Sequence, residues 1–549
     1  MYSCSITGRQ YELSPLEARL REKFSVRRPP DLSPAMRIRH LGAFWHHWAL
    51  HKRKCDATGR SIVSPFSESC PYPVVHRDYW LENANPPATD YTLEREIFPQ
   101  LWELFQRSPI PHSSQGGNQN CEYADDWWYS KNCYLCHSGI HNEDLRHCYR
   151  AYYCKDSQYS VFSFYCELCS DTINCFRCSR VRFAVNCRDC SESAFLYDCR
   201  GCSECMFCSN LRNKKFCFNN EQLTQEEYRR KTADWDLRSR EAFEEAKEFF
   251  YNEVLASAWH QALQNENTDN CSGNYLTNCK NCEDCFFLID CEDSFNCLRG
   301  GPNHRDSMDC IGFALETELI YHSTMIVDHC YDVKFSYHLT QCRFMEYCAF
   351  CMQCEHCFGC CGLLGKKYHI FNKEYSAQEY HERVAELKRC MQQTDEYERF
   401  FPGYFAQTPY EETWSNFYFP LNAKELAQAG FRPAEERAER KKSYLDAAQV
   451  PDHSGGASTA LLNEIYWDTI VSRPFRIEER DIAYSSKLAS PLPDKYYMRR
   501  LQENFRLVFF EGELRSARCA ETGAELKTTL PEEFDSGLLC EAAYERVIY

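Results

Sequence analysis

Small, readily buried side chains recur at every third position through much of the chain. From Cys121 to Cys217 every gap between successive cysteines is a multiple of three, and Ser or Ala fills positions that cysteine leaves. The same residue type returns after 21 positions, as at Cys133, Cys154 and Cys175. This repeat predicts a β-solenoid with about 21 residues per coil, because stacking places equivalent inward positions above one another.

The period of three constrains the local structure of such a coil. A regular strand alternates with a period of two, so we expect very short strands with frequent corners. Parallel strands about 4.8 Å apart would join neighbouring coils. Cysteine suits the narrow interior, since it is small and readily buried.

A second copy of the pattern follows the first. A shift of 152 residues superposes Cys199 and Cys208 on Cys351 and Cys360, and the copies diverge near Gly300. We therefore predict two cysteine-laddered solenoids in a chain that is mainly β with α.

Each copy runs into a predicted helix that begins with a capping box. The boxes are Thr224…Glu227 and Ser376…Glu379, in which the hydroxyl and the carboxylate satisfy N–H groups of the first turn. The first helix is predicted to continue to about Leu263. The polar faces of both helices would cap the open ends of the solenoids.

Three segments resemble zinc-ribbon knuckles that have lost a ligand. They read Cys4-Ser-Ile-Thr-Gly8, Cys55-Asp-Ala-Thr-Gly59 and Cys519-Ala-Glu-Thr-Gly523, with threonine where a second cysteine would stand. His76 lies 21 residues after Cys55, and Cys540 lies 21 residues after Cys519. With at most two ligands left per ribbon, we expect these modules to bind no zinc, or to bind it weakly.

These patterns divide the chain into eight predicted segments. They are a degenerate zinc-ribbon-like module (1–80), a connector (81–120), the first solenoid (121–220), a helix (221–265), the second solenoid (270–372), a helix with an aromatic-rich wrap (373–432), a linker (433–460) and a C-terminal degenerate ribbon-like module (461–549).

The cysteine content is the main compositional anomaly. The chain has 37 cysteines, and 31 of them lie between Cys121 and Cys361. The N-terminus shows no signal-peptide pattern, and no apolar run approaches the roughly 18 residues of a membrane span. We expect a cytoplasmic protein without membrane contact, in which thiols stay reduced or hold metal.

Three interpretations of the cysteines stay open. They could form a structural ladder of reduced thiols, bind zinc or an iron–sulfur cluster, or form disulfides between coils. Cofactors are not expected under the first interpretation. The metal-ligand candidates are Cys55, His76, Cys519, Cys540, Cys199, Cys202, Cys205, Cys208, Cys351, Cys354, Cys357 and Cys360.

Charge is unevenly distributed along the chain. Residues 1–60 carry 12 Lys and Arg against 5 Asp and Glu, although the whole chain has a net charge of −17. Basic residues among aromatics suit RNA or single-stranded nucleic acid. The candidates are Arg27, Arg28, Lys52, Arg53 and Lys54. The same cations could instead pair with acidic residues of the chain itself.

No catalytic motif emerges from the sequence. We find no phosphate-binding glycine loop, HExxH or GxSxG, so no catalytic residue is predicted. The expected function is a non-enzymatic binding or structural scaffold with a protein partner. A metal-binding or redox-active protein and a nucleic-acid-binding protein remain the alternatives.

Several segments resemble a known group of proteins. They are Lys52 to Gly59, Leu196 to Cys202, Asn210 to Lys215 and Phe419 to Phe431. With these segments the chain resembles a family of uncharacterised cysteine-rich, zinc-ribbon-like repeat proteins of candidate-phyla-radiation bacteria. The resemblance implies CPxCR and CxxC ribbons at the ends, from which this sequence departs, and it implies no established activity.

Overall fold

The computed structural model describes residues 1–45, 49–121, 123–145, 147–149, 151–152, 162–164, 174–176, 179–434, 439–510 and 512–549, the three short segments between 151 and 176 by their backbone alone. The protein is a mixed α/β structure with many strands and many buried cysteines. It divides into two compact units. Unit 1 comprises Met1–Ser113, Leu263–Glu435 and Glu511–Arg515, and unit 2 comprises Ser114–Ala262, Glu436–Phe510 and Ser516–Tyr549.

Unit 2 contains a ladder of short, mostly parallel strands in two sheets. The strands are Gln115–Gly116, Ala124–Trp128, Cys136–Ile140, Ala151–Tyr152, Phe162–Phe164, Asn174–Phe176, Ser179–Val185, Ser191–Tyr197, Ser203–Ser209, Lys215–Phe218 and Glu221–Gln222.

The rest of unit 2 surrounds this ladder with helices and small sheets. Its helices are Gln225–Ala233, Arg240–Phe249, Glu479–Leu488, Tyr497–Phe505 and Glu541–Ile548, with a π-helical turn at Phe250–Leu255. Its remaining strands are Leu445–Asp446, Tyr466–Asp468, Arg473–Phe475, the hairpin Arg515–Arg518 and Glu525–Thr528, and the parallel pair His260–Gln261 and Leu538–Leu539.

Unit 1 contains a longer ladder in a single sheet of thirteen strands. The strands are Gly273–Thr277, Lys280–Glu283, Cys285–Ile289, Cys291–Gly300, His304–Phe313, Glu318–Val327, Tyr331–Lys334, Tyr337–Thr340, Arg343–Glu346, Ala349–Met352, Glu355–Phe358, Lys367–Ile370 and Lys373–Glu374.

Helices and hairpins of unit 1 accompany that ladder. The helices are Pro15–Lys23, Pro34–Gly42, Arg77–Asn83, Ile97–Phe105, Ala377–Gln393, Trp414–Tyr418 and Ala423–Ala429. The small sheets pair Tyr2–Ser3 with Gln10–Tyr11, His51–Lys54 with Ser61–Ser64, and Val74–Val75 with Ile110–Pro111.

The strand register corrects the predicted repeat length. Ser191 pairs with Ser203, a separation of 12 residues. Cys297 pairs with Cys310, a separation of 13 residues. The predicted 21-residue coil is therefore wrong. Inward positions recur every three residues. The 21-residue repeat seen in the sequence therefore corresponds to one full step and part of the next. The predicted stack of Cys133, Cys154 and Cys175 includes side chains outside those described.

Left-handed residues at every third position explain the period of three. In unit 2 the successive residues Asn186, Asp189, Glu192 and Phe195 have φ between 48° and 56°. Each such residue turns the chain, and the residue after it begins the next short segment. Asn and Asp are common at these corners in both ladders, since they tolerate the left-handed region better than most residues.

The predicted helix starts are confirmed, but one predicted helix is interrupted. Both capping boxes, at Thr224 and Ser376, are present with both of their hydrogen bonds. The helix expected to run from Thr224 to about Leu263 instead ends at Ala233 and resumes at Arg240. Ser239 caps this second helix by accepting from the N–H of Ala242.

Candidate thiol sites

Inward cysteines take part in the backbone hydrogen-bonding of the ladders. The thiol of Cys199 donates to the carbonyl of Tyr197 at 3.5 Å and lies 3.6 Å from the carbonyl oxygen of Cys208. The N–H of Cys199 in turn donates to the sulfur of Cys187, 12 residues earlier, at 3.4 Å. The sulfurs of Cys121, Cys208, Cys330 and Cys360 accept an N–H from 12 residues later in the same way, which binds neighbouring steps together.

Serine takes the same role where it replaces cysteine. Ser336 donates to the carbonyl of Lys334 at 2.8 Å, and its hydroxyl accepts the N–H of Cys348 at 3.0 Å. Exchange of Cys for Ser at an inward position therefore preserves a small donor and acceptor there.

This equivalence predicts the outcome of two substitutions at Cys348, which is fully buried. Cys348→Ser should keep the donation to the carbonyl of Glu346, now 3.2 Å, and should change the free energy of unfolding by less than about 1 kcal/mol. Cys348→Leu should destabilise by about 1 to 3 kcal/mol, because a leucine is larger than the space that the packed core gives to the cysteine at this position. Denaturant titration of both variants measures the difference, and equal losses would contradict the packing argument.

The runs predicted as metal-ligand candidates lie in these inward positions. The group is Cys199, Cys202, Cys205, Cys208, Cys351, Cys354, Cys357 and Cys360, all of them buried. Each thiol donates to the carbonyl two residues before it. Burial raises the pKa of Cys199, Cys351 and Cys360. Hydrogen bonds from neighbouring thiols instead lower the pKa of Cys202 and that of Cys354. Burial therefore favours the protonated form at only part of these runs, whereas metal binding needs thiolates.

The three knuckle-like segments form one recurring structure, called here the cysteine turn. In each, the N–H of the glycine donates to the cysteine carbonyl at 2.8 Å, at Gly8, Gly59 and Gly523. These glycines have φ of 69° to 70°, a conformation that glycine adopts without a Cβ penalty. The threonine before each glycine accepts the N–H two residues after itself.

Each cysteine turn places its sulfur at the start of a helix. The N–H of His76 donates to the sulfur of Cys55 at 3.3 Å, and that of Cys540 to the sulfur of Cys519 at 3.4 Å. His76 and Cys540 are the residues immediately before helices Arg77–Asn83 and Glu541–Ile548. Ser33 holds the matching position for Cys4, before helix Pro34–Gly42.

This environment stabilises thiolates. Burial opposes a charge on each sulfur, but the threonine hydroxyl and several backbone N–H groups outweigh it. The pKa of Cys4 and that of Cys55 are lowered, and the pKa of Cys519 falls to about 6. The cysteine turns therefore differ chemically from ladder cysteines such as Cys199 and Cys351, whose pKa burial raises.

The predicted partners of Cys55 and Cys519 are brought close, but no full metal-ligand set forms around them. His76 accepts the N–H of Asp78 through Nδ1 at 3.2 Å, and its ring stacks on that of His112 at 4.8 Å. Across the residues that the structure describes, no group of three or more His, Cys, Asp or Glu side chains is placed to hold a metal ion.

The cysteine turns at Cys55 and Cys519 also share a side-chain hydrogen bond to the residue that follows a neighbouring strand. Nine residues after Cys55, the hydroxyl of Ser64 donates to the carbonyl of His112 at 2.7 Å. Nine residues after Cys519, that of Thr528 donates to the carbonyl of Ala262 at 2.8 Å. The turns at Cys55 and Cys519 therefore use the same contacts at equivalent positions.

The proposed nucleic-acid residues are engaged within unit 1 to different degrees. The guanidinium of Arg28 binds Asp395, and that of Arg53, which is 7% exposed, binds Asp56 at 2.9 Å. Lys54 donates to Ser61 at 2.7 Å. Arg27 and Lys52 have exposed side chains. Nucleic-acid binding by this surface stays a prediction.

Other cations of the N-terminal segment pair with the body of unit 1, as the alternative interpretation expects. The pairs are Arg19 with Asp293 at 2.7 Å, Lys23 with Asp306 at 2.7 Å, and Arg37 with both Glu17 and Asp309. Sequence reasoning found the cations but not their partners, since Glu17 and Asp309 carry no motif. The one signal in the sequence is that Arg37 stands between the apolar residues Met36 and Ile38.

No protein-family model matches the chain, and no curated protein matches it significantly. In the part of the chain that the structure describes, no helix is both long and apolar enough to cross a membrane.

Proposed function

We propose that the protein is a non-enzymatic binding scaffold built on two solenoids, one in each unit, with coils of 12 or 13 residues. The observation that carries this proposal is the hydrogen-bonded thiol interior. The buried cysteines donate to carbonyls, and some of their sulfurs accept an N–H from the next coil. These hydrogen bonds hold the coils together. Such a core provides rigidity and leaves the outer face to make contacts.

The ladder of unit 1 presents a long charged column on its surface. Cα pairing places its members on successive steps, and neighbouring steps of a parallel sheet are about 4.8 Å apart, so the column extends over roughly 30 Å. Its members are Lys280, Glu292, Arg305, Glu318, Tyr331, Arg343, Glu355 and Lys367. Opposite charges on adjacent steps pair, as in Arg305 with Glu318 at 3.0 Å.

An aromatic column and an open groove adjoin these charges. Phe344, His356 and Tyr368 stack on successive steps with ring centroids 4.5 and 5.0 Å apart, and Phe344 is 37% exposed. A groove of about 770 Å³ is lined by Glu292, Arg305 and Phe344 among others. Alternating charge with exposed aromatic surface suits a folded protein partner, which presents both signs, better than a uniformly anionic nucleic acid.

A quantitative affinity purification tests the proposal. A variant with Glu292, Arg305, Glu318, Arg343 and Glu355 changed to Gln removes five of the column's seven charges without adding repulsion. We expect this variant to recover at least about tenfold less of a specific protein partner than the unchanged protein does. A matched variant carries Gln at five exposed charges elsewhere: Glu226, Arg229, Arg230, Glu382 and Glu386. This control should retain the partner. If no protein's recovery depends on the column, the proposal fails.

A further inference from the structure

The cysteine turn of unit 2 differs from the other two in the residue at the start of its helix. The sulfur of Cys519 accepts the N–H of Cys540 at 3.4 Å. An N–Cα bond of about 1.46 Å then places the Cα of Cys540 within about 4.9 Å of that sulfur. In the turns of unit 1, Ser33 and His76 hold this position. Among the described cysteine turns, that of unit 2 alone therefore brings two thiols together.

The two sulfurs are exposed to different extents. Cys519 is 2% exposed, whereas Cys540 is partly exposed. Cys540 is therefore the more accessible of the two to a solute, whereas the sulfur of Cys519 is buried among hydrogen-bond donors. These donors are the Thr522 hydroxyl and the N–H groups of Cys540, Thr522 and Glu521.

A cation lies near both thiols. Arg546, in the helix that follows Cys540, binds Glu521 at 2.7 Å. Its pKa is raised first by that carboxylate and then by the charges of Cys540 and Cys519. Cations beside a thiol favour its nucleophilic thiolate form. Ladder thiols such as Cys199 and Cys351 instead donate to backbone carbonyls.

We infer that Cys519 and Cys540 are a reversible dithiol–disulfide pair, a redox site that the cysteine-turn geometry creates in unit 2. The oxidant is a low-molecular-weight disulfide, RSSR. The Cys540 thiolate attacks one sulfur of RSSR, giving a mixed disulfide and one RS⁻. The Cys519 thiolate then attacks the Cys540 sulfur, forming the Cys519–Cys540 bond and releasing a second RS⁻. Two thiols are oxidised and one RSSR is reduced to two RSH.

Equilibration of the full-length protein with mixtures of reduced and oxidised glutathione tests the pair. After acid quenching and differential alkylation, peptide mass spectrometry should find Cys519 linked to Cys540, and excess reduced glutathione should reverse the link. Cys519→Ser should trap glutathione on Cys540, because the resolving thiolate is gone. Cys540→Ser should acquire little adduct at the buried Cys519.

A matched variant uses the turn of unit 1, where His76 occupies the position of Cys540. His76→Cys should create a second disulfide, to Cys55, under the same conditions. Native-like circular dichroism of each variant verifies folding. Absence of the Cys519–Cys540 link at every glutathione ratio, prior oxidation of ladder cysteines, or failure of folded His76→Cys to oxidise would overturn the inference. None of these outcomes depends on whether the protein binds a partner.

Discussion

Gly273→Ala should cost at least about 3 kcal/mol of folding free energy and should disrupt the start of the ladder in unit 1. Gly273 begins the strand that pairs with Cys285–Ile289 and has a φ of 142°. A Cβ built there would lie 1.8 Å from the carbonyl oxygen of Cys285. That oxygen belongs to the backbone of the adjacent strand, so relief requires the two strands to separate. Thermal and denaturant unfolding measure the loss.

Gly301→Ala is the matched control for this substitution. Gly301 lies in the same ladder, and a Cβ there would meet nothing within 4 Å. We expect a change below about 1 kcal/mol. If Gly273→Ala were as mild as Gly301→Ala, the close strand pairing at Cys285 would be incorrect.

Arg37→Met should destabilise unit 1 by about 3 to 5 kcal/mol, the usual cost of leaving buried charges without their partner. Arg37 is 3% exposed and binds Glu17 at 2.8 Å as well as Asp309, whose side chains are both fully buried. Asn296 also donates to Asp309, at 2.6 Å. Removing the guanidinium leaves two carboxylates facing each other in the interior. Denaturant unfolding of unit 1 measures the cost.

Two further variants separate this buried network from ordinary surface pairing. Glu17→Gln/Arg37→Met/Asp309→Asn removes all three charges together and should recover most of the stability that Arg37→Met loses. Arg19→Ala breaks the pair with Asp293, whose members are 58% and 33% exposed, and should cost less than about 1 kcal/mol. A loss in Arg37→Met no larger than in Arg19→Ala would show that the triad does not anchor the N-terminal helices.

The sequence supports the repeat but not the repeat length that it first suggests. Cysteines recur at 12 positions as well as at 21, as at Cys187 and Cys199 or Cys205 and Cys217. Both spacings are multiples of three, so the period of inward positions cannot decide between them. The pairing of strands between steps decides the repeat length, and this pairing depends on the left-handed corners. Residue type does not identify those corners, since Phe195 occupies one as readily as Asn186. The longer offset between strands near Cys297 likewise needs the structure.

The cysteine turns could be recognised from sequence, but their chemistry could not. The Cys-x-x-Thr-Gly pattern identifies the turn and its left-handed glycine. The matching spacing after Cys55 and Cys519 points to His76 and Cys540 as their partners. Only the fold shows that a helix begins at Cys540 and that Arg546 lies close by. A search for zinc ligands also directs attention to missing cysteines, whereas the threonines that replace them are the donors that stabilise the sulfur.

The central claim is that the cysteines of the ladders form a reduced, packed and metal-free core. Counting reactive thiols and bound metal in anaerobically purified protein tests this claim most directly. Among the described cysteines, brief alkylation of the native protein should modify the partly exposed Cys271 and Cys540 and spare the buried ladder thiols. All 37 should react after denaturation, with zinc and iron well below one equivalent. Iron or zinc near integer stoichiometry that leaves on denaturation, or rapid native alkylation of Cys199 and Cys351, would contradict the account.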